Sequence, residues 1–263
     1  MTALGSKDIT PQTPRSRIPR HIGIIMDGNG RWASLRRRPR VFGHRNGVES
    51  VRQVVKAAGE WGVETLTLYA FSEENWKRPS DEVGVIMGLL DTYVRKECAE
   101  LDRNNVQFRA IGDLDRLKES TRELIQDVTR KLSGNSGLVL NLALSYGGRM
   151  EITRAVKAIA EKIKAGELKP DDISQETIGQ YLFTSGSSDP DLIIRTSGEQ
   201  RMSNFLLWQS AYSELYFTDV LWPDFGRREF ADAIDSFGAR ERRFGGLVGS
   251  QSAFSAEQVM NPC

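Results

Sequence analysis

The sequence predicts a single α/β domain, a mostly parallel sheet with helices on both faces. Two observations predict it. Short, almost wholly apolar runs alternate along the chain with longer stretches of helical periodicity. Near-continuous apolar strands separated by helices indicate a parallel sheet covered on both faces. With 263 residues, 39% hydrophobic and 27% charged, the chain has enough apolar surface for a real core.

The elements follow in order. Ile22–Met26 reads as the first buried strand. Val48, Val51, Val54, Val55 and Ala58 recur at helix spacing, and Leu66–Phe71 is the second strand. Val83, Ile86, Leu89, Leu90, Tyr93 and Val94 form the next helical stripe, before strand Val106–Ile111. Leu114, Leu117, Leu124, Ile125, Val128 and Leu132 give a third stripe, before strand Leu138–Leu144. A helix over Met150–Lys164, a short one near Ile178–Phe183 and a strand over Asp191–Thr196 complete the pattern. Residues 1–20, with Pro11, Pro14 and Pro19, are expected as a mobile tail, residues 21–246 as the single folded domain, and residues 247–263 as a second tail.

Composition excludes several classes of function. Lys and Arg number 36 against 35 Asp and Glu, a net charge of +1, which argues against nucleic acid as a partner. No apolar run approaches the roughly 20 residues that span a bilayer, and no signal-peptide core follows Met1. Cys98 and Cys263 stand far apart, outside any metal or redox spacing, which suits a reducing compartment. The expected location is the cytoplasm.

In parallel sheets the ligand sits beyond the carboxyl ends of the strands. Three polar segments occupy that edge: Asp27-Gly-Asn-Gly-Arg-Trp32, Ser72-Glu-Glu-Asn-Trp-Lys-Arg78 and Arg195-Thr-Ser-Gly198. Gly28 and Gly30 let backbone N–H groups approach an anion, although a tight turn with Asp27 capping a helix uses the same residues. A carboxylate beside a diphosphate repels it unless a divalent cation intervenes, so Asp27 implies Mg²⁺ if the loop binds phosphate. Gly28, Gly30 and Ala33 also fit a loose dinucleotide pattern, but the acidic residue expected about 20 positions on is missing. Arg36, Arg37, Arg38 and Arg40 read either as a solvated or RNA-binding face or as a lid over phosphates. His44 reads as a surface histidine or a member of that lid. Arg78, Arg195 and Arg201, with Ser197 and Ser203, suit phosphate oxygens or ordinary ion pairing. Glu214, inside the aromatic stretch Ala211–Phe217, needs a partner, for which a cap or a metal would serve.

Together these blocks resemble the cis-prenyltransferase family, in particular bacterial undecaprenyl diphosphate synthases. The resemblance runs through His21–Trp32, Phe42–Gly47, Leu66–Pro79, Asn141–Arg149, Asp191–Gly198, Asn204–Gln209, Leu221–Phe225 and Arg240–Gly246 in order. It implies a homodimer with a six-stranded sheet, farnesyl diphosphate and isopentenyl diphosphate as substrates, Mg²⁺ as cofactor, and a polyprenyl product delivered to the membrane by an enzyme that touches its inner face. By the resemblance Asp27 is catalytic and a metal ligand, and Glu214 is the second metal carboxylate. Gly28, Asn29, Gly30, Arg31, Trp32, Arg40 and His44 surround the allylic diphosphate. Ser72, Glu73, Glu74, Asn75, Trp76 and Arg78 form the loop that organises both substrates, and Arg195, Arg201, Met202 and Ser203 hold isopentenyl diphosphate. Arg243 and Gly245 resemble an element that reaches the partner's site. The family assigns proton removal to the position of Asn75. A carboxamide is a very weak base, so the residue chemistry makes Asn75 an orienting group and Asp27 the acceptor.

A growing polyprenyl chain needs an apolar tunnel. Ala70 shares a strand face with Ser72 and is expected at its entrance, where a small residue leaves room for a long product. Ile86, Leu89, Leu90, Leu138, Leu140 and Leu142 are candidates for its wall and floor, or for ordinary core.

Overall fold

The structure is a computed structural model that describes residues 9–240. Arg243, Gly245 and the expected tail at 247–263 lie outside the described residues, as do residues 1–8 of the first tail. Six strands form one sheet, β1 (His21–Ile25), β2 (Thr65–Ser72), β3 (Gln107–Ile111), β4 (Val139–Tyr146), β5 (Leu192–Arg195) and β6 (Glu214–Phe217). Their order is β3-β4-β2-β1-β5-β6, and every pairing is parallel. The sheet is therefore wholly rather than mostly parallel. Seven helices accompany it among the described residues: α1 (Asn29–Leu35), α2 (Arg40–Trp61), α3 (Ser80–Arg103), α4 (Glu119–Lys131), α5 (Gly148–Lys164), α6 (Gln175–Gln180) and α7 (Arg227–Gly238).

The five apolar runs are β1 to β5. Residues alternate between faces, so β1 sends Ile22 and Ile24 into one core and Ile25 into the other. The larger core lies between the sheet and helices α2, α3, α4 and α7, with Trp61, Phe71, Phe108, Trp222 and Phe230 buried in it. The smaller one holds Ile25, Tyr69, Tyr146, Ile193, Phe205 and Leu206, with Phe183 and Met202 packed on it. Below it Glu151 of α5, wholly buried, accepts hydrogen bonds from Tyr146, Gln209 and the backbone of Phe183. Burial raises its carboxyl above the ordinary range, against the pull of these donors.

At the amino edge of the sheet His21 is wholly buried. Its Nδ1 lies 2.6 Å from the Ser188 carbonyl and its Nε2 2.8 Å from Thr67 Oγ1, which also accepts from Asn141 Nδ2 at 3.1 Å. A carbonyl only accepts, so Nδ1 carries the proton and Nε2 accepts the Thr67 hydroxyl. Residues 9–20, within the stretch expected as a tail, are tied to α7. Thr13 N donates to Asp235 Oδ1 at 2.7 Å, and Arg227 Nε donates to the Ile9 carbonyl at 2.7 Å.

The chain leaves β1 toward β2 on one side and later crosses to β5 on the other, so β1 lies at the switch point of the sheet. Two helices, α1 and α2, separate β1 from β2. A dinucleotide unit has one, and that alternative for Gly28, Gly30 and Ala33 is set aside.

Candidate active site

The carboxyl ends of β1, β2, β4 and β5 open into a cavity of about 580 Å³. Asp27, two residues beyond β1, is placed by its own backbone. Asp27 N donates to Thr196 Oγ1 at 2.9 Å, and Trp222 N donates to the Asp27 carbonyl at 3.0 Å. Gly28 follows at φ 104°, where a Cβ would stand 2.9 Å from the Leu221 side chain and 3.0 Å from Ser197. Only glycine makes this turn without strain. It brings Gly28 N to 2.7 Å from Asp27 Oδ1. Gly43 of α2 does the complementary work, since a Cβ there would lie 1.9 Å from the Asn29 carbonyl oxygen. That close approach sets α2 against the glycine turn and lays the Arg40 guanidinium over Gly30.

Arg195, buried at the end of β5, is the hub of the site. Nη2 donates to Asp27 Oδ2 at 2.9 Å, and Nη1 donates to Ser203 Oγ at 2.6 Å and to the Arg201 carbonyl at 2.5 Å. Its Nε is buried with no protein partner. Burial works to raise the Asp27 carboxyl, but the hydrogen bonds from Arg195 and Gly28 and the charges of Arg195 and Arg31 outweigh it. The net shift is downward, so Asp27 is ionised at neutral pH.

On the other wall, Asn75 Oδ1 accepts from Ser72 N at 3.2 Å, which leaves its NH₂ as the group free to act. Arg78 Nη1 donates to Glu82 Oε1 at 2.9 Å. The same oxygen lies 3.5 Å from Arg40 Nε and 3.9 Å from His44 Nε2. Burial, then the charges of Arg78 and Arg40, lower the His44 pKa to about 4 against the opposing charge of Glu82. His44 is neutral at pH 7. Farther in, the cavity walls turn apolar, with Ile86, Leu89 and Leu90 of α3 facing Ala70, Leu142 and Leu144.

Most of the expected site residues meet here. Asp27, Gly28, Asn29, Gly30, Arg40, His44, Ser72, Glu74, Asn75, Arg78, Arg195 and Ser203 line this cavity. Arg31 stands just outside, its Nη2 donating to Ser197 Oγ at 2.5 Å and 3.3 Å from Glu199. Trp32 is not in the cavity: it is buried behind it, its Nε1 donating to Asp224 at 2.7 Å. Glu73 and Trp76 line a separate cleft with Lys77 and Arg116, and Trp76 Nε1 donates to Ser145 Oγ at 2.9 Å. Arg201 turns outward to Glu199, although its carbonyl holds Arg195, and Met202 packs on the smaller core. Leu138 and Leu140 are ordinary core.

Glu214 is not brought to Asp27 within this chain. It begins β6 level with Leu192, three residues and roughly 10 Å before Phe217. Phe217 is level with Arg195 and so with Ile25, and Asp27 lies beyond them. Glu214 instead accepts from Arg240 Nη1 at 2.7 Å. A strand start faces the amino edge, which its aromatic setting could not reveal.

Three contributors escape sequence reasoning. Glu82 reads as one of two acids, with Asp81, in a helix's first turn. Asn204 donates Nδ2 to Glu74 at 2.9 Å and lines the cavity. Trp222 seats the Asp27 backbone and donates Nε1 to the Gly47 carbonyl at 2.9 Å. The Arg36–Arg40 run is also not one face. Arg36 stacks on Trp32, Arg38 lies over Phe42, and Arg40 turns to the cavity.

Backbone strain gathers at this edge. Ser145, Ser197, Ser203, Asn204 and Leu206 have φ of 49°, 81°, 46°, 63° and 43°. Side chains rarely accept this left-handed region.

The donors fit a Mg²⁺ ion in one way only. Among the described residues no three His, Cys, Asp or Glu side chains converge as a metal cage. Asp27 offers one ionised, part-exposed carboxylate at the cavity. Mg²⁺ is commonly held by one or two carboxylates together with substrate phosphates and water, and Asp27 meets that need.

Comparison with known proteins agrees with this architecture. Residues 25–245 match the profile of the family described as "Putative undecaprenyl diphosphate synthase". The isoprenyl transferase of Agrobacterium fabrum is 54% identical over 90% of this chain and 96% of its own, and that of Heliobacterium mobile 50% over 94% and 95%. Lavandulyl diphosphate synthase from Lavandula x intermedia, solved with dimethylallyl diphosphate, superposes with a TM-score of 0.86 at 39% identity over 88% of this chain and 99% of its own. A probable undecaprenyl diphosphate synthase from Campylobacter jejuni gives 0.73 at 39% identity over 86% and 98%. The chain belongs to the cis-prenyltransferase family of isoprenyl transferases and undecaprenyl diphosphate synthases.

Proposed function

We propose that this chain is a Mg²⁺-dependent enzyme that condenses isopentenyl diphosphate repeatedly onto farnesyl diphosphate, giving undecaprenyl diphosphate, the lipid carrier for cell-wall glycans. The observation that carries the reading is the division of one cavity into two chemistries. Its mouth gathers Asp27, Arg40, Arg78, His44 and Arg195, and its depth is lined by Ile86, Leu89, Leu90, Leu142 and Leu144. Such a cavity suits a diphosphate head with a hydrocarbon tail, and small polar metabolites would leave its depth unfilled.

Reaction requires the allylic C–O bond to break, C4 of isopentenyl diphosphate to attack C1, and a C2 proton to leave. Arg40, Arg78 and the N–H groups after Gly28 take the allylic diphosphate and stabilise the charge that grows on it. Mg²⁺, held by Asp27 together with diphosphate oxygens, would neutralise the same charge. Arg195 and Ser203 take the isopentenyl diphosphate, and the Asn75 NH₂ orients a phosphate oxygen. Asp27, kept ionised by Arg195, accepts the proton. The enzyme acts as a homodimer in the cytoplasm and passes its lipid to the membrane. In support, β6 is an edge strand and its Leu215 is exposed. No helix among the described residues is long and apolar enough to cross a membrane.

The test is to incubate purified protein with farnesyl and isopentenyl diphosphates and Mg²⁺ and to size the products. A ladder ending at long chains supports the reading. A single short product, as the likeness to lavandulyl diphosphate synthase would suggest, refutes the chain length, and no product without NADH or another cofactor refutes the chemistry.

A further inference from the structure

One carboxylate beside the cavity, in contact with three of its lining residues, has no place in that chemistry. Glu82, in the first turn of α3, is 15% exposed, and its Oε1 is the meeting point of three groups from two elements. Arg78 reaches it from the loop after β2, and Arg40 and His44 from α2, at 2.9, 3.5 and 3.9 Å. Arg40 and Arg78 are the side chains that the proposed function assigns to the allylic diphosphate, and the inference rests on that assignment. Helix-dipole stabilisation does not explain the placement, because Asp81, exposed in the same turn, meets that need. Asp81 stays outside; Glu82 turns in.

A diphosphate arriving at Arg40 and Arg78 meets Glu82 as a like charge a few ångströms away, in a partly desolvated site where such repulsion is strong. Arg78 spends Nη1 on Glu82, and Arg40 directs its Nε edge there, so a phosphate that takes those same donors displaces Glu82 from them. We infer that Glu82 is a resident counter-ion that stands in for a phosphate oxygen at the Arg40–Arg78–His44 cluster and is exchanged for substrate diphosphate in each turnover. The role matters most in repeated condensation. Every addition liberates one diphosphate, which must leave before the next can proceed, and a built-in carboxylate competes for the arginines and speeds its departure. Glu82 is thus a residue that sets diphosphate affinity without touching the reacting carbons.

The alternative is a tether, with Glu82 holding the arginines in position for phosphate, and the two roles differ in sign. Inorganic pyrophosphate is titrated calorimetrically into wild type and Glu82→Gln in the presence of Mg²⁺. A competitor predicts about twofold to fivefold tighter binding, the range of one partly exposed ion pair. It also predicts stronger product inhibition by pyrophosphate and a lower kcat with a lower KM for the allylic diphosphate. Unchanged or weaker pyrophosphate binding overturns the proposal. Should Glu82→Gln not fold, Glu82→Asp withdraws the charge by one methylene, and binding that does not tighten overturns it equally. Arg40→Ala and Arg78→Ala serve as controls on the assignment beneath. If neither weakens pyrophosphate binding to wild type, the diphosphate assignment itself fails and the role of Glu82 falls with it.

Discussion

His21→Asn isolates what a buried neutral histidine does to stability as pH falls. Burial lowers the His21 pKa to about 4 in the folded chain, against the raising effects of the Ser188 carbonyl and Asp191. In the unfolded chain it titrates near 6.5. The folded pKa is depressed, so between these values the unfolded chain binds the proton and the folded chain does not, and stability falls as pH drops from 6.5 toward 4. From pH 7.5 to 5.0 one such histidine removes about 2 kcal/mol, since the unfolded state gains RT ln of roughly 30 from protonation. Glu151, with a raised carboxyl, titrates in the opposite sense, so the wild-type slope alone is a mixture. The difference between wild type and His21→Asn removes that mixture, because Glu151 is common to both. Urea denaturation at the two pH values should show the penalty of His21→Asn shrinking by about 2 kcal/mol at pH 5.0. The chain has only two histidines, so imidazole NMR resonances can be assigned with this single variant. A penalty that does not change with pH, or a His21 resonance titrating near 6.5, would refute the account.

Other expectations follow from the site. Asp27→Ala should keep its circular dichroism spectrum and lose more than tenfold in kcat/KM, a barrier increase above about 1.4 kcal/mol; smaller losses remove Asp27 from catalysis. Ala70→Leu should shorten the products while sparing the first condensation, because residue 70 lies on the cavity wall opposite Ile86 and Leu90; an unchanged length distribution on chromatography places length control elsewhere. Gly43→Ala pushes a methyl into the Asn29 carbonyl, so it should lower stability by roughly 1–3 kcal/mol in urea and raise KM for the allylic substrate.

What was legible in the sequence was what hydrophobic burial dictates. Strands β1, β2, β4 and β5 are buried almost throughout and read as apolar runs, while β3, one of the two edge strands, buries Phe108 and Ile111 and leaves Gln107, Arg109 and Ala110 half-buried. Strand β6 is an edge strand whose Leu215 is exposed, so its polar and aromatic mixture carries no such signal. Helix α7 carries one, since Phe230, Ile234 and Phe237 recur at helix spacing and are buried, although it falls beyond the pattern that ends at Thr196. Within the site, glycine turns and strand-end charges were legible because few residue types fit them. Trp32 and Trp76 were not separable from the cavity by sequence, since an indole beside a loop serves packing and ligand contact alike. Glu82 was hidden for a different reason. Its identity is ordinary, and only the tertiary approach of α2 adds Arg40 and His44 to its local partner Arg78.

The left-handed residues along the carboxyl edge have a consequence for anyone who engineers this protein. Ser145, Ser197, Ser203, Asn204 and Leu206 each hold a conformation that costs an L-residue about 1–2 kcal/mol, and they gather at the carboxyl rim of the sheet, Ser145 near the end of β4 and the other four on loops. A screen that rewards heat resistance alone will find some of its easiest gains at the serines, where glycine relieves the contorted backbone, and none at Leu206, whose buried side chain the smaller core would lose. Ser203→Gly, however, takes away the hydroxyl on Arg195, and Ser145→Gly the one that anchors Trp76. Durability and turnover therefore compete for the same few residues, and selection for one without an assay for the other will erode the rim first.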